Sequence, residues 1–185
     1  DIVVDVGAHI GVFVAKALEL GAEKVVAVEP DPGNVECLRR NFPREVASGR
    51  VVIVPEGAWS GDGSLTLHIG KSSGWNSMIQ DYGGRSIEVP VRKLDDMVRR
   101  LGLPRVDYIK MDIEGAEREA LKGAQETLKS HRSRLLIDSY HRPDDPEVLP
   151  GIIRQAHADY RMLCGPCEQR QEAGLHLVPH VTFYW

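Results

Sequence analysis

No apolar stretch in this chain approaches the ~20 residues that a membrane-spanning helix needs, so no such span is expected. Basic residues are not in excess: 23 Lys and Arg stand against 27 Asp and Glu, a formal net charge of -4. A protein that binds nucleic acid by neutralising phosphates needs the opposite balance. The nearest basic groups, Arg99 with Arg100 and Arg132 with Arg134, read as solvated helix ends. Cysteine is scarce as well, and three residues cannot build a disulfide framework. Cys37 falls in a helical pattern, where a buried free thiol is expected. Cys164-Gly165-Pro166-Cys167 spells C-x-x-C, but it trails a late strand instead of opening a helix after an early one, so it reads as a turn. Without a second cysteine pair it cannot complete a zinc site, and no metal ligands are assigned from the sequence. There is no signal-peptide pattern and no initial Met; the chain opens directly on Asp1-Ile2-Val3-Val4-Asp5. The expectation is a cytoplasmic protein with an N-terminal segment missing.

What remains is an ordinary globular composition, 42% hydrophobic and 27% charged, in 185 residues. One domain spanning 1–185 is expected. Short, mainly apolar strands (Ile2 to Val6, Val25 to Val28, Val51 to Val54, Val106 to Met111, Leu135 to Tyr140) alternate with helical patterns. Those patterns run through Ile10, Phe13, Ala17 and Leu20; through Val35, Leu38 and Phe42; and through Ala116, Ala120, Leu121, Ala124 and Leu128. A weaker helix starts at Asp145-Pro146 and is interrupted by Pro150 and Gly151. Tyr160 to Cys164 and Leu175 to Tyr184 supply two closing strands. Strand alternating with helix gives right-handed crossovers and an α/β, doubly wound, mostly parallel sheet with an antiparallel edge. Ligands of such sheets bind beyond the carboxyl ends of the strands.

Chemistry is therefore sought just after each strand. The first ends in Asp5-Val6-Gly7-Ala8-His9-Ile10-Gly11, where small residues let a ligand approach the next helix. The second ends in Glu29-Pro30-Asp31, with a carboxylate placed to accept a ribose diol. A dinucleotide site wants G-x-G-x-x-G, yet His9 stands where the second glycine would be, and the Asp5 carboxylate would repel a pyrophosphate. The same charge suits the ammonium of S-adenosylmethionine. After the third strand, Glu56-Gly57-Ala58 offers an acceptor for an adenine amino group and room for its ring. After the fourth, Asp112 sits where a transferring methyl belongs, while Glu117 is explained by the helix dipole. After the fifth comes Ser139-Tyr140-His141. The long segment from Lys71 to Arg85, with Ser72, Ser73, Trp75, Asn76 and Ser77, reads as a loop that covers the acceptor or is simply disordered.

Val4-Asp5-Val6-Gly7-Ala8-His9-Ile10-Gly11, Val28-Glu29-Pro30, Leu94-Asp95-Asp96 and Ile109-Lys110-Met111-Asp112-Ile113-Glu114-Gly115-Ala116-Glu117 together resemble the FkbM family of methyltransferases. The resemblance runs to about Tyr160 and is most specific at Asp112 to Glu117. It departs at His9, where the family commonly has Asn, and at Tyr140 before His141. It implies a Rossmann-like class I methyltransferase sheet whose last strand is antiparallel. It also implies S-adenosylmethionine as cofactor and a small-molecule hydroxyl, on a sugar or natural product, as acceptor. Asp5, Gly7, Ala8, His9, Gly11, Glu29, Pro30, Asp31, Glu56, Gly57, Ala58 and Asp112 would then bind the cofactor. An alcohol needs a base as it attacks; His141 is the leading candidate, because imidazole titrates near neutrality, and Asp112 is the other. Asp112 with Asp138 would need a third oxygen ligand to hold a cation. Two other classes stay open: a binding module whose catalytic centre has decayed, and a nicotinamide-dependent oxidoreductase.

Overall fold

A computed structural model describes residues 1–70, 76–81, 83–165, 167–170 and 176–185, with the backbone alone for 167–170 and 176–179. Strands β1 (Ile2–Val6), β2 (Lys24–Val28) and β3 (Val51–Val54) alternate with helices α1 (Val12–Glu19), α2 (Pro32–Asn41) and α3 (Pro43–Ala47). Then come β4 (Gly57–Ala58), β5 (Gly63–Ile69), β6 (Arg85–Arg92) and α4 (Leu94–Arg100). The second half holds β7 (Tyr108–Met111), α5 (Glu117–Lys122), α6 (Gln125–His131), β8 (Arg134–Asp138) and α7 (Asp145–Ala156). It closes with β9 (Met162–Cys164), β10 (Cys167–Arg170), β11 (His176–Pro179) and β12 (Val181–Tyr184).

The main sheet has the order β3-β2-β1-β7-β8-β12-β9. Its first five strands are parallel, and β12 runs antiparallel to both β8 and β9. The inner strands are apolar at nearly every position because both faces are covered. Val3, Val25 and Ala27 face one core with Val14, Ala17, Leu38 and Phe42, from α1, α2 and the residue that ends α2. Val4, Val6, Val26 and Val28 face the other, with Leu94, Met97, Leu121, Leu128, Leu149 and Ile153 from α4 to α7. The strand order reverses between β1 and β7, which opens a crevice beyond Val6 and Met111. Beside it, β4, β6 and β5 form a small separate sheet. Among the described residues no helix is long and apolar enough to cross a membrane.

Several details differ from the sequence reading. Ile10 and Leu20 lie outside α1 and are exposed. Cys37 is exposed, because the inward stripe of α2 is Val35 and Leu38. The stripe from Ala116 to Leu128 is two helices. The break falls at Gly123, where a Cβ would stand 2.0 Å from the Trp59 carbonyl oxygen, a close approach only glycine allows. Pro150 does not stop α7; its ring is buried with Leu149, Ile152 and Ile153, packing that offsets the lost backbone bond. The closing segment is two strands separated at His180; Cys164 ends β9 and Cys167 begins β10, and Pro166 of the C-x-x-C lies outside the described residues.

Candidate active site

A cleft opens at the switch in strand order. It is lined by Val6, Gly7 and His9 after β1; Val28, Glu29, Pro30 and Asn34 after β2; Gly57 and Ala58 of β4; and Asp112, Ile113 and Glu114 after β7. Leu67, Asn76 and Met78 close its outer side. Sequence reasoning had picked out Gly7, His9, Glu29, Pro30, Gly57, Ala58 and Asp112, and the fold brings them to this one place.

Gly7 adopts φ +82, and a Cβ there would lie 2.0 Å from the Asp112 carbonyl oxygen. The turn after β1 is thus pressed against the turn after β7, which sets the width of the cleft floor. His9 has φ 50, and its backbone N–H donates to Glu29 Oε2 at 2.8 Å. Glu29 Oε1 accepts from the Asp31 N–H at 2.9 Å and from Asn34 Nδ2 at 3.4 Å. Burial raises the Glu29 carboxyl, and these donors work against the rise. The carboxylate is fixed in orientation at the cleft wall with lone pairs to spare.

Other expected binding residues stand elsewhere. Asp31 caps α2, with Oδ1 accepting from the Gly33 N–H at 2.7 Å, while Oδ2 accepts from Asn76 Nδ2 at 2.7 Å. It latches the segment at Asn76 to the edge of the cleft. Ala8 is packed in the core, and Gly11 precedes α1 in contact range of Phe42. Glu56, expected at adenine, is instead clamped by Arg92 (3.0 Å) and by Arg100 (2.9 and 3.0 Å). Two guanidinium partners hold it away from the ligand-facing surface.

Asp5 needs the largest correction. Its side chain is fully buried beneath the Gly7 turn, with Lys110 Nζ 3.3 Å away, so it does not face the cleft directly. Lys110 also donates to the Gly7 carbonyl at 3.1 Å. Burial pushes the Asp5 carboxyl up to about 6, and Lys110 offsets this only in part. An unfolded Asp titrates near ~3.9. Between these values the folded chain binds more protons than the unfolded one, so Asp5 makes stability fall as pH rises from about 4 to about 6. Above that range its ionised form is a standing penalty on the order of 3 kcal/mol. Asp5→Asn is therefore expected to raise the thermal midpoint at pH 7.5 and to leave it nearly unchanged at pH 4. Melting curves at the two pH values check this, and a lower midpoint at pH 7.5 would contradict it.

Behind Asp112 lies a cluster that the sequence reading only partly anticipated. His141 Nε2 is 3.7 Å from Asp112 Oδ1 and 3.6 Å from Glu114 Oε2, and Nδ1 is 3.0 Å from Glu117 Oε1. Burial alone would lower the imidazole, but contact with Glu117 and the charges of Glu117, Glu114 and Asp112 outweigh it and raise it to about 9. Asp138 is raised too, first by burial and then by Asp112. Glu117 does sit at the start of α5, as the dipole argument required. It is also fully buried, accepts from the Ile113 N–H at 2.9 Å and steadies His141. Glu114, at φ 52, is turned toward the cleft, and its carbonyl accepts from Ser77 Oγ at 2.8 Å. Asn76 and Ser77 thus pack over the site as a covering loop would; Ser72, Ser73 and Trp75 lie outside the described residues. Asn34, Lys110 and Glu114 were missed as site residues, although Lys110 and Glu114 stand inside the quoted Ile109 to Glu117 block.

Residues 5–162 match the family model described as the methyltransferase FkbM domain. The chain belongs to the FkbM methyltransferase family. It is 28% identical over 156 residues to the 31-O-demethyl-FK506 methyltransferase FkbM of Streptomyces tacrolimicus (68% of this chain, 60% of the relative). It is 26% identical over 156 residues to the hexuronic acid methyltransferase AglP of Haloferax volcanii (84% and 62%). The chain thus spans about three-fifths of the length of these curated relatives. Among solved structures, the methyltransferase FkbM of Methylobacillus flagellatus superposes on all of this chain and 43% of its own, with TM-score 0.72 and 24% identity. The Streptococcus mutans protein SMU.1697c, in complex with SAH, matches 99% of this chain and 86% of its own, with TM-score 0.55 and 12% identity. These likenesses place the sheet in the class I methyltransferase fold, its last strand antiparallel as expected.

Proposed function

We propose that this FkbM-family chain binds S-adenosylmethionine and transfers its methyl group to a hydroxyl of a small molecule, on a sugar or natural product. One observation carries the reading: among the described residues the cleft wall holds three carboxylates, Glu29, Asp112 and Glu114, and neither Lys nor Arg, Lys110 being drawn to Asp5 and the Gly7 carbonyl. Such a wall repels a pyrophosphate and attracts a cationic nucleoside, which disfavours the nicotinamide alternative. The fit is local and specific. Glu29 is anchored by backbone N–H groups and faces the cleft where a ribose diol would lie. Gly57 and Ala58 leave space for a flat ring.

When bound, the cofactor supplies an electrophilic methyl on sulfur. The chain's own residues then align and deprotonate the acceptor. Asp112 lines the cleft with its side chain 36% exposed, whereas His141 is held behind it at 6%. Asp112 is thus the group in reach of an acceptor hydroxyl, and it accepts the proton as the oxygen attacks. His141 and Lys110, on either side of its two oxygens, hold that carboxylate in place. Asn76, Ser77 and Met78 restrict the entrance and exclude water from the reacting groups. Relatives named for FK506 and hexuronic acid support small hydroxylated acceptors. The test is transfer of labelled methyl from S-adenosylmethionine to a panel of sugars and hydroxylated natural products. Label is expected in at least one acceptor oxygen, and label found only on nitrogen or carbon would refute the reading.

A further inference from the structure

We propose that Asp112, Glu114 and His141 form a binding site for one divalent metal ion at the inner edge of the cleft, with a donor set suited to Mn2+. The site stands on its own geometry; its use in catalysis rests on the reading above.

One oxygen of each carboxylate and one imidazole nitrogen lie within 4.8 Å of one another. The two contacts to His141 Nε2, 3.6 and 3.7 Å, are too long for hydrogen bonds. An ion held roughly 2.0–2.2 Å from each ligand atom spans such separations. The His141 side chain is only 6% exposed, and its Nε2 has no aligned hydrogen bond. A buried imidazole edge therefore faces two carboxylates at ion-pair distance without hydrogen-bonding either.

The opposite edge of the ring is also arranged as at a metal. Nδ1 lies 3.0 Å from Glu117 Oε1, a fully buried carboxylate positioned by the Ile113 N–H. A carboxylate behind a histidine fixes its tautomer and ring plane and presents Nε2 to an ion. Two oxygens and one imidazole nitrogen fall between the all-oxygen sets of Mg2+ and the nitrogen-rich sets of Zn2+, which favours Mn2+. Asp112 and Glu114 also line the cleft, so the remaining coordination positions open toward the acceptor. An ion there would orient an acceptor oxygen and make its hydroxyl easier to deprotonate.

The test uses the metal alone. Mn2+ is titrated into the chelator-stripped 185-residue chain, with loss of the free-ion electron paramagnetic resonance signal as the readout. One equivalent is expected to bind, and pulsed spectra of the unaltered protein should show coupling to a nitrogen-14 nucleus of imidazole. Absence of uptake at millimolar Mn2+, or a bound ion without nitrogen coupling, overturns the site. Glu114→Gln should weaken Mn2+ at least ~10-fold, and an unchanged affinity in that variant also overturns it. S-adenosylhomocysteine binding, measured in parallel, separates the two ideas. Mn2+ uptake without nucleoside binding leaves the metal site standing and removes the cofactor reading, and the reverse result removes only the metal site.

Discussion

Glu29→Ala is expected to weaken binding of S-adenosylhomocysteine at least ~100-fold. A hydrogen bond to a charged group contributes about 1.5–3 kcal/mol, so losing the acceptor for two ribose hydroxyls removes roughly 3 kcal/mol or more, and 1.4 kcal/mol is tenfold. The alanine variant also strands the N–H groups of His9 and Asp31 and the Asn34 amide, which Glu29 now satisfies. Some loss of stability is expected with it. Glu29→Gln separates the two effects. It keeps the side-chain shape and removes the cost of a buried charge but sets an amide donor against the N–H of His9 or Asp31, so its melting point should fall less than that of the alanine variant while its affinity falls. Calorimetry and melting curves on both variants check this. If Glu29→Gln keeps full affinity, the ribose does not rest on this carboxylate.

Asp112→Asn is expected to lower kcat by ~10²–10⁴, the range for loss of a general base. The amide matches the carboxylate in size, and the backbone N–H of Asp112 still donates to the Val6 carbonyl at 3.1 Å, so the turn should hold. One negative charge is removed from beside Glu114 and Asp138, whose carboxyl Asp112 helps to raise. The substitution also removes a partner of Lys110 and His141, so the melting point should change little. Initial rates at saturating cofactor and acceptor give kcat directly. A rate within threefold of the parent would exclude Asp112 as the base.

The half of the fold proposed to carry the nucleoside was legible in the residues. Ile2 to Val6, broken only by Asp5, and Val25 to Val28 are apolar because they lie inside a parallel sheet, and the residues just after them mark the cleft side. Glu29 and Asp112 could be picked out because each directly follows the last apolar residue of its strand. What could not be read depends on pairs far apart in the chain. Asp5 looked available for a ligand, but the register of β1 against β7 sets it beside Lys110. Glu56 looked free until the fold brought Arg92 and Arg100 to it, 36 and 44 residues away. The break at Gly123 inside the stripe from Ala116 to Leu128 could not be read, because its need for closeness comes from Trp59. His141 was noticed as a base; its encirclement by Asp112, Glu114 and Glu117 is a product of two strand ends meeting.

Calorimetric titration of the unaltered chain with S-adenosylhomocysteine, beside an identical titration with NAD+, tests the account most directly. Saturable micromolar binding of the first and silence with the second is the expected outcome, since the cleft wall is carboxylate and lacks a pyrophosphate cradle. Heat with NAD+, and none with the adenosyl ligand, would mean that the charge on that wall has been misread.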